Sequence, residues 1–134
     1  MQVNRVQKKI RLNAYDLVKY QIITELIFFK KEHLIASDIE LLTLLALWGP
    51  MELGKFCNTA AKKIYDINVM EEFAIRAQNI RNRISKLQSR GFVIKSETSK
   101  DKRKLIQIDS ALDIHKTGNV LLNYNFLSVE TDKA

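Results

Sequence analysis

Apolar positions along this chain change period several times, and each change marks an element. The opening "RVQKKIRL" alternates only partly, mixing β-branched and basic residues, and predicts a short strand or arm within residues 1–12. Asn13 then occupies a helix-cap position, with Asp16 three residues on to favour the helix N-terminus. From there Leu17, Val18, Ile22, Leu26, Ile27 and Phe29 recur at mixed three- and four-residue spacings, which predicts a helix over 14–33. Its apolar face is broad enough to need cover from the rest of the fold or from a second subunit.

The "SDIE" beginning at Ser37 reads as a capping box, in which Ser37 and Glu40 satisfy backbone donors at a helix start. The apolar run "LLTLLALW" follows, and Gly49 and Pro50 stop the helix, since proline cannot continue the ladder. A further helix is expected from Glu52 to Ile64. Asn68 with Glu71 makes another cap, opening a helix over 69–90. Within it Phe73, Ala77, Ile80, Ile84 and Leu87 are spaced four, three, four, three and draw one narrow apolar stripe. The opposite face carries Gln78, Asn79, Asn82, Ser85, Lys86 and Ser89, flanked by Arg81 and Arg83.

Gly91 is the expected C-cap of that helix. Beyond it the period changes to that of strands: "FVIKS" and "KLIQI" flank the polar turn "ETSKDKR", a β-hairpin with a basic tip. The tail "NVLLNYNFLSV" sets Leu122, Tyr124 and Phe126 against Asn123 and Asn125, again a strand signature. A chain of 134 residues without internal repeats or a Gly/Pro-rich linker reads as one domain, 1–134. The sequence thus predicts a mainly α fold with a small β-hairpin (α+β): a core over 37–109 and a C-terminal tail over 110–134.

Charge sharpens this picture. The whole chain carries +7, but residues 76–104 hold ten Lys/Arg against Glu97 and Asp101, a local excess of +8 that leaves −1 for the remainder. Positive charge concentrated on one helix and hairpin is an electrostatic footprint for a polyanion, nucleic acid first. The longest strongly apolar run is far short of the ~20 residues of a membrane span, and the basic N-terminus has no signal-peptide pattern. No membrane partner is expected. The lone Cys57 has no internal disulfide partner, which suits a reducing compartment, and reads as a small buried hydrophobe.

No catalytic constellation assembles from these residues. The two histidines, His33 and His115, have no partners at metal-ligand spacing, and the four glycines never cluster into a phosphate-cradling loop. Glu71 and Glu72 sit at a helix start, where the helix dipole accounts for them. No enzyme activity, cofactor or metal is expected.

The order helix, Gly-Pro turn, helix, longer helix, Gly and basic hairpin is that of a winged helix-turn-helix. The segment "IRNRISKLQSRGFVIKSETSKDKRKLIQI" resembles the recognition helix and wing of MarR-type transcription regulators, through Leu87, Gly91 and Phe92, then Asp101, Arg103 and Leu105. Upstream, "LLTLLALWGPMELGKF" is similar to the second helix and turn of that family, so the resemblance covers about residues 37–109. It implies a homodimeric regulator of transcription that binds double-stranded DNA. On the physical reading, Asn79, Asn82, Arg83 and Lys86 form the groove-facing set, with Gln78 and Arg81 beside them, because amide and guanidinium groups pair with base edges. Lys100, Lys102 and Arg103 at the wing tip would hold phosphates or enter the minor groove. The expected location is the cytoplasm of a bacterial or phage-infected cell. The rival reading is a structural assembly module, such as a virion or connector component of a phage, whose termini make contacts between subunits.

Overall fold

Six consecutive buried residues, 41–46, place one helix at the centre of the molecule. The computed structural model describes residues 2–26, 33–65, 70–97, 104–112, 114–118 and 120–128. These form an α+β structure of four helices and two small antiparallel sheets. In chain order the elements are β1 (Gln2–Ile10), α1 (Ala14–Thr24), α2 (Ala36–Trp48), β2 (Met51–Glu52), α3 (Leu53–Ile64), α4 (Met70–Ser89), β3 (Val93–Glu97), β4 (Lys104–Ile108) and β5 (Val120–Ser128). A single 3-10 turn, Ser110–Leu112, follows β4.

The central helix is α2, apolar on every side and surrounded accordingly. Thr43 lies fully buried within it, and its hydroxyl donates to the Ile39 carbonyl at 2.7 Å, so burial leaves no orphan donor. The helix ends as expected at Gly49, whose φ of 74° is a conformation that side chains with a Cβ rarely adopt. Its start differs from the expected capping box. The N-cap is Ile35, no side chain caps the helix, and Ser37 lies inside the first turn. The backbone N–H groups of Asp38 and Ile39 both donate to the Ile35 carbonyl instead, and the Asp38 carboxylate turns toward α4.

Around α2 pack the apolar faces of the remaining helices. Asn13 caps α1 as its position predicts, its Oδ1 accepting from the Asp16 N–H at 2.7 Å. Val18, Ile22 and Leu26 enter the core, the last from a wider turn that extends α1 through Glu25 and Leu26. His33, the end of the expected helix over 14–33, is not helical; residues 27–32 lie outside the described part. In α3, Leu53, Phe56, Cys57, Ala60 and Ala61 repeat at helical spacing and are all buried. Trp48 sits at the core's margin with its ring edge-on to Phe56, 5.6 Å between centroids.

The stripe on α4 lies where its spacing puts it. Ile80, Ile84 and Leu87 are buried, with Phe73 and Ala77 half-buried against the same core. Asn68, proposed as its cap, and Val69 lie outside the described residues. At the other end the chain leaves the helix through a Schellman motif. Phe92 N–H donates to the Leu87 carbonyl and Gly91 N–H to the Gln88 carbonyl, with Gly91 at φ 84°. Leu87 and Phe92 are both buried, so this stop also fixes the direction in which β3 departs.

The strands then form a three-stranded sheet of order β2-β4-β3. "KLIQI" is β4, paired with β3 from Val93↔Ile108 to Glu97↔Lys104 and with β2 through Met51↔Ile106 and Glu52↔Leu105. Ile106, at the sheet's centre, is fully buried. The second sheet is a ribbon of β1 and β5, antiparallel from Gln2↔Ser128 to Ile10↔Val120. Both strands were expected singly; their pairing was not.

A cavity-forming substitution tests this packing. Ile84→Ala should cost about 2–5 kcal/mol in chemical denaturation, through lost burial and packing. Asn82→Ala, on the outer face of the same helix, should change stability by less than about 0.5 kcal/mol. Equal losses would mean that α4 is turned differently on the core.

Candidate nucleic-acid interface

The amphipathic spacing of α4 that buries Ile80, Ile84 and Leu87 necessarily turns the candidate side chains outward. Gln78, Asn79, Arg81, Asn82 and Lys86 are exposed, and Arg83 is half-buried. Four of them, Asn79, Asn82, Arg83 and Lys86, line one groove of about 400 Å³ between α4, the start of α2 and the end of α3. Gln78 joins them at one remove, its Nε2 donating to Asn82 Oδ1 at 3.0 Å. Arg81 points elsewhere. Its guanidinium lies against α3 near Gly54, and its charge reaches the buried Cys57.

The structure therefore gathers the expected groove-facing set and separates Arg81 from it. Lys100, Lys102 and Arg103 lie outside the described residues. Ser37, Glu40 and Tyr65 also line the groove, and nothing in their local sequence marks them for it. Glu40 brings a carboxylate to a rim that is otherwise rich in donors, so an anion would settle nearer Lys86 than the α2 side.

Not all the positive charge of α4 faces outward. Arg83 Nε lies 3.7 Å from Asp38 Oδ1, which is buried and has no hydrogen bond among the described residues. A buried carboxylate needs a countercharge, and Arg83 supplies it here. Arg76 meets Glu72 at 3.9 Å one turn away and stacks over the Tyr65 ring, 4.6 Å from its centroid. Arg90, just past the helix, donates to the His33 carbonyl at 3.2 Å and lies over Phe92. Among the described residues no carboxylate stands within ion-pair distance of Arg81 or Lys86. Of these two, only Lys86 lines the groove, while Arg81 lies against α3.

Comparison with protein-family models, with curated proteins and with solved structures finds no match to this chain. Among the described residues no cluster of three or more His, Cys, Asp or Glu side chains could hold a metal ion. Nor is any helix there long and apolar enough to cross a membrane. Cys57 is buried, and that burial pushes its thiol pKa up against the opposing pull of Arg81 and Lys95.

Two measurements follow from these contacts. Arg83→Ala strands a buried carboxylate and should cost about 1–3 kcal/mol in chemical denaturation, whereas Lys86→Ala should cost less than about 0.5 kcal/mol. Because a raised pKa means less thiolate at neutral pH, Cys57 should resist iodoacetamide in the folded chain and react promptly in denaturant. Rapid alkylation of the native protein would contradict that burial.

Proposed function

We propose that the chain is a non-enzymatic winged helix-turn-helix protein that binds double-stranded DNA and regulates transcription. The observation that carries this reading is the succession α2, β2, α3, α4, β3, β4 with sheet order β2-β4-β3, in which a basic-faced helix runs directly into a hairpin with a basic tip. In this reading α4 lies in the major groove, where Asn79 and Asn82 can pair with adenine edges and Lys86 with guanine or phosphate. The hairpin β3–β4 is the wing, with Lys100, Lys102 and Arg103 against the backbone. Arg83 acts from behind, holding α4 on α2 through Asp38. The resemblance of residues 37–109 to MarR-type regulators supports the same assignment, with a homodimer as the functional unit.

The ribbon favours a second reading, assembly through the termini. MarR-type regulators have long terminal helices, whereas the strands here expose Val3, Leu121, Tyr124, Phe126 and Leu127. Tyr124 and Phe126, which the regulator reading expects to be buried, are 37% and 58% exposed. An apolar ribbon of this kind fits contacts with neighbouring subunits, as in a phage connector or virion component. Light scattering with and without duplex DNA separates the two: a dimer that shifts on DNA supports the regulator, and a larger oligomer indifferent to DNA supports the assembly module.

Counterion release gives the direct test. Duplex affinity should fall with salt at a log–log slope of roughly −0.9 per phosphate neutralised. Replacing Lys100, Lys102 and Arg103 together with Ala should flatten that slope while leaving sequence preference in place. An unchanged slope would remove the wing from the interface.

A further inference from the structure

The ribbon of β1 and β5 has two chemically different faces. Directly opposed residues of an antiparallel pair share a face, so the register sorts them. One face carries Gln2 opposite Ser128, Asn4 opposite Phe126, Val6 opposite Tyr124, Lys8 opposite Leu122 and Ile10 opposite Val120, and is the more apolar of the two, chiefly toward the Ile10 end. The other carries Val3 opposite Leu127, Arg5 opposite Asn125, Gln7 opposite Asn123 and Lys9 opposite Leu121, so its polar centre is flanked by exposed Val3, Leu127 and Leu121. The five polar side chains of this second face are all exposed. A depression of about 350 Å³ opens at the middle of the ribbon, lined by Arg5, Gln7, Asn123 and Asn125 together with Val6 and Tyr124 of the first face. Neither strand contains an acidic residue, while Arg5, Lys8 and Lys9 are basic.

We propose that the polar face of this ribbon enters the major groove of duplex DNA, as a contact separate from α4. The inference rests on the DNA-binding reading above and extends it to a surface that reading does not use. A two-stranded ribbon fits the major groove, which is about 12 Å wide. Same-face side chains repeat at about 6.8 Å along an antiparallel strand, close to two base-pair steps of about 3.4 Å. The residue types fit as well as the spacing. Gln7, Asn123 and Asn125 each offer a donor and an acceptor on one amide, the pairing an adenine edge requires, and Arg5 offers the fork that guanine accepts. An acidic protein surface would use only the amide donors and leave three carbonyl oxygens without a role. Lys9, at the inner end of the face, is placed for a phosphate. The ribbon is also anchored for such work: Gln21 of α1 accepts from the His115 N–H at 2.8 Å and donates to its carbonyl at 2.6 Å, fixing the chain just before β5.

The test starts from a random-sequence duplex pool carried through rounds of binding selection on the full wild-type chain. The enriched duplex is then titrated against three proteins: the wild type, a ribbon variant (Arg5→Ala, Gln7→Ala, Asn125→Ala) and a helix variant (Asn82→Ala, Lys86→Ala). All substituted side chains are exposed, and circular dichroism confirms the fold of each. The ribbon variant should bind at least about tenfold more weakly and lose part of the guanine N7 protection from dimethyl sulfate. If it binds like the wild type with an unchanged footprint while the helix variant is weakened, the ribbon proposal fails and the DNA-binding reading stands. A wild-type chain that retains no duplex overturns both, and retention without enrichment overturns groove reading by the ribbon. A ribbon variant whose only change is in oligomeric mass would make this face a contact between subunits and end the proposal.

Discussion

The burial of Ile80, Ile84 and Leu87 beneath α4 is the constraint on which the rest of the basic segment depends. Those three side chains fix the rotation of the helix about its axis, and with it which polar residues face outward. Asn79, Asn82 and Lys86 share a groove because the stripe behind them is seated on the core. The same seating places Leu87 beside Phe92, and the Gly91 turn converts that contact into the departure angle of β3. Turning α4 by one residue would bury a polar side chain and send the hairpin in another direction. The ion pair between Arg83 and Asp38 reinforces the same setting from the α2 side.

Much of this was legible in the sequence because the signals are local. The spacing of Phe73, Ala77, Ile80, Ile84 and Leu87 can arise only on a helix with one buried face, and "KLIQI" is the whole of β4. Gly49 and Gly91 are the two positive-φ helix ends their positions predicted. What escaped was non-local. Ser37 and Glu40 have the spacing of a capping box, but α2 begins earlier, from Ile35, without a side-chain cap, and Asp38 between them pairs with Arg83 of another helix. Arg83 and Arg81 both counted as outward cations in the sequence, yet one is committed to Asp38 and the other lies against α3. Both terminal strands were recognisable by alternation. Nothing in either names the other as its partner, since no turn connects them and an edge strand can accept any neighbour of fitting pattern.

The distribution of charge also changes once contacts are known. The excess of positive charge in residues 76–104 is partly internal: Arg76 and Arg83 meet carboxylates, and Arg90 holds a backbone carbonyl. The described part of α4 therefore has a modest cationic surface in its groove, Lys86 with the amides of Asn79 and Asn82 beside it. Such a surface suits a contact that reads shape and hydrogen-bonding pattern more than one that depends on field strength alone. The ribbon follows a similar recipe, few cations and many amides.

Partners in the β1–β5 ladder lie between 110 positions apart (Ile10 and Val120) and 126 (Gln2 and Ser128). Closing so long a loop from an unfolded chain costs about 4 kcal/mol in logarithmic loop entropy alone, more than an isolated two-stranded ribbon returns in water. The ribbon therefore cannot nucleate folding. Once the helices are packed, the Gln21–His115 contact shortens the gap between the two strands. Loop entropy thus places the ribbon after the helical core in folding.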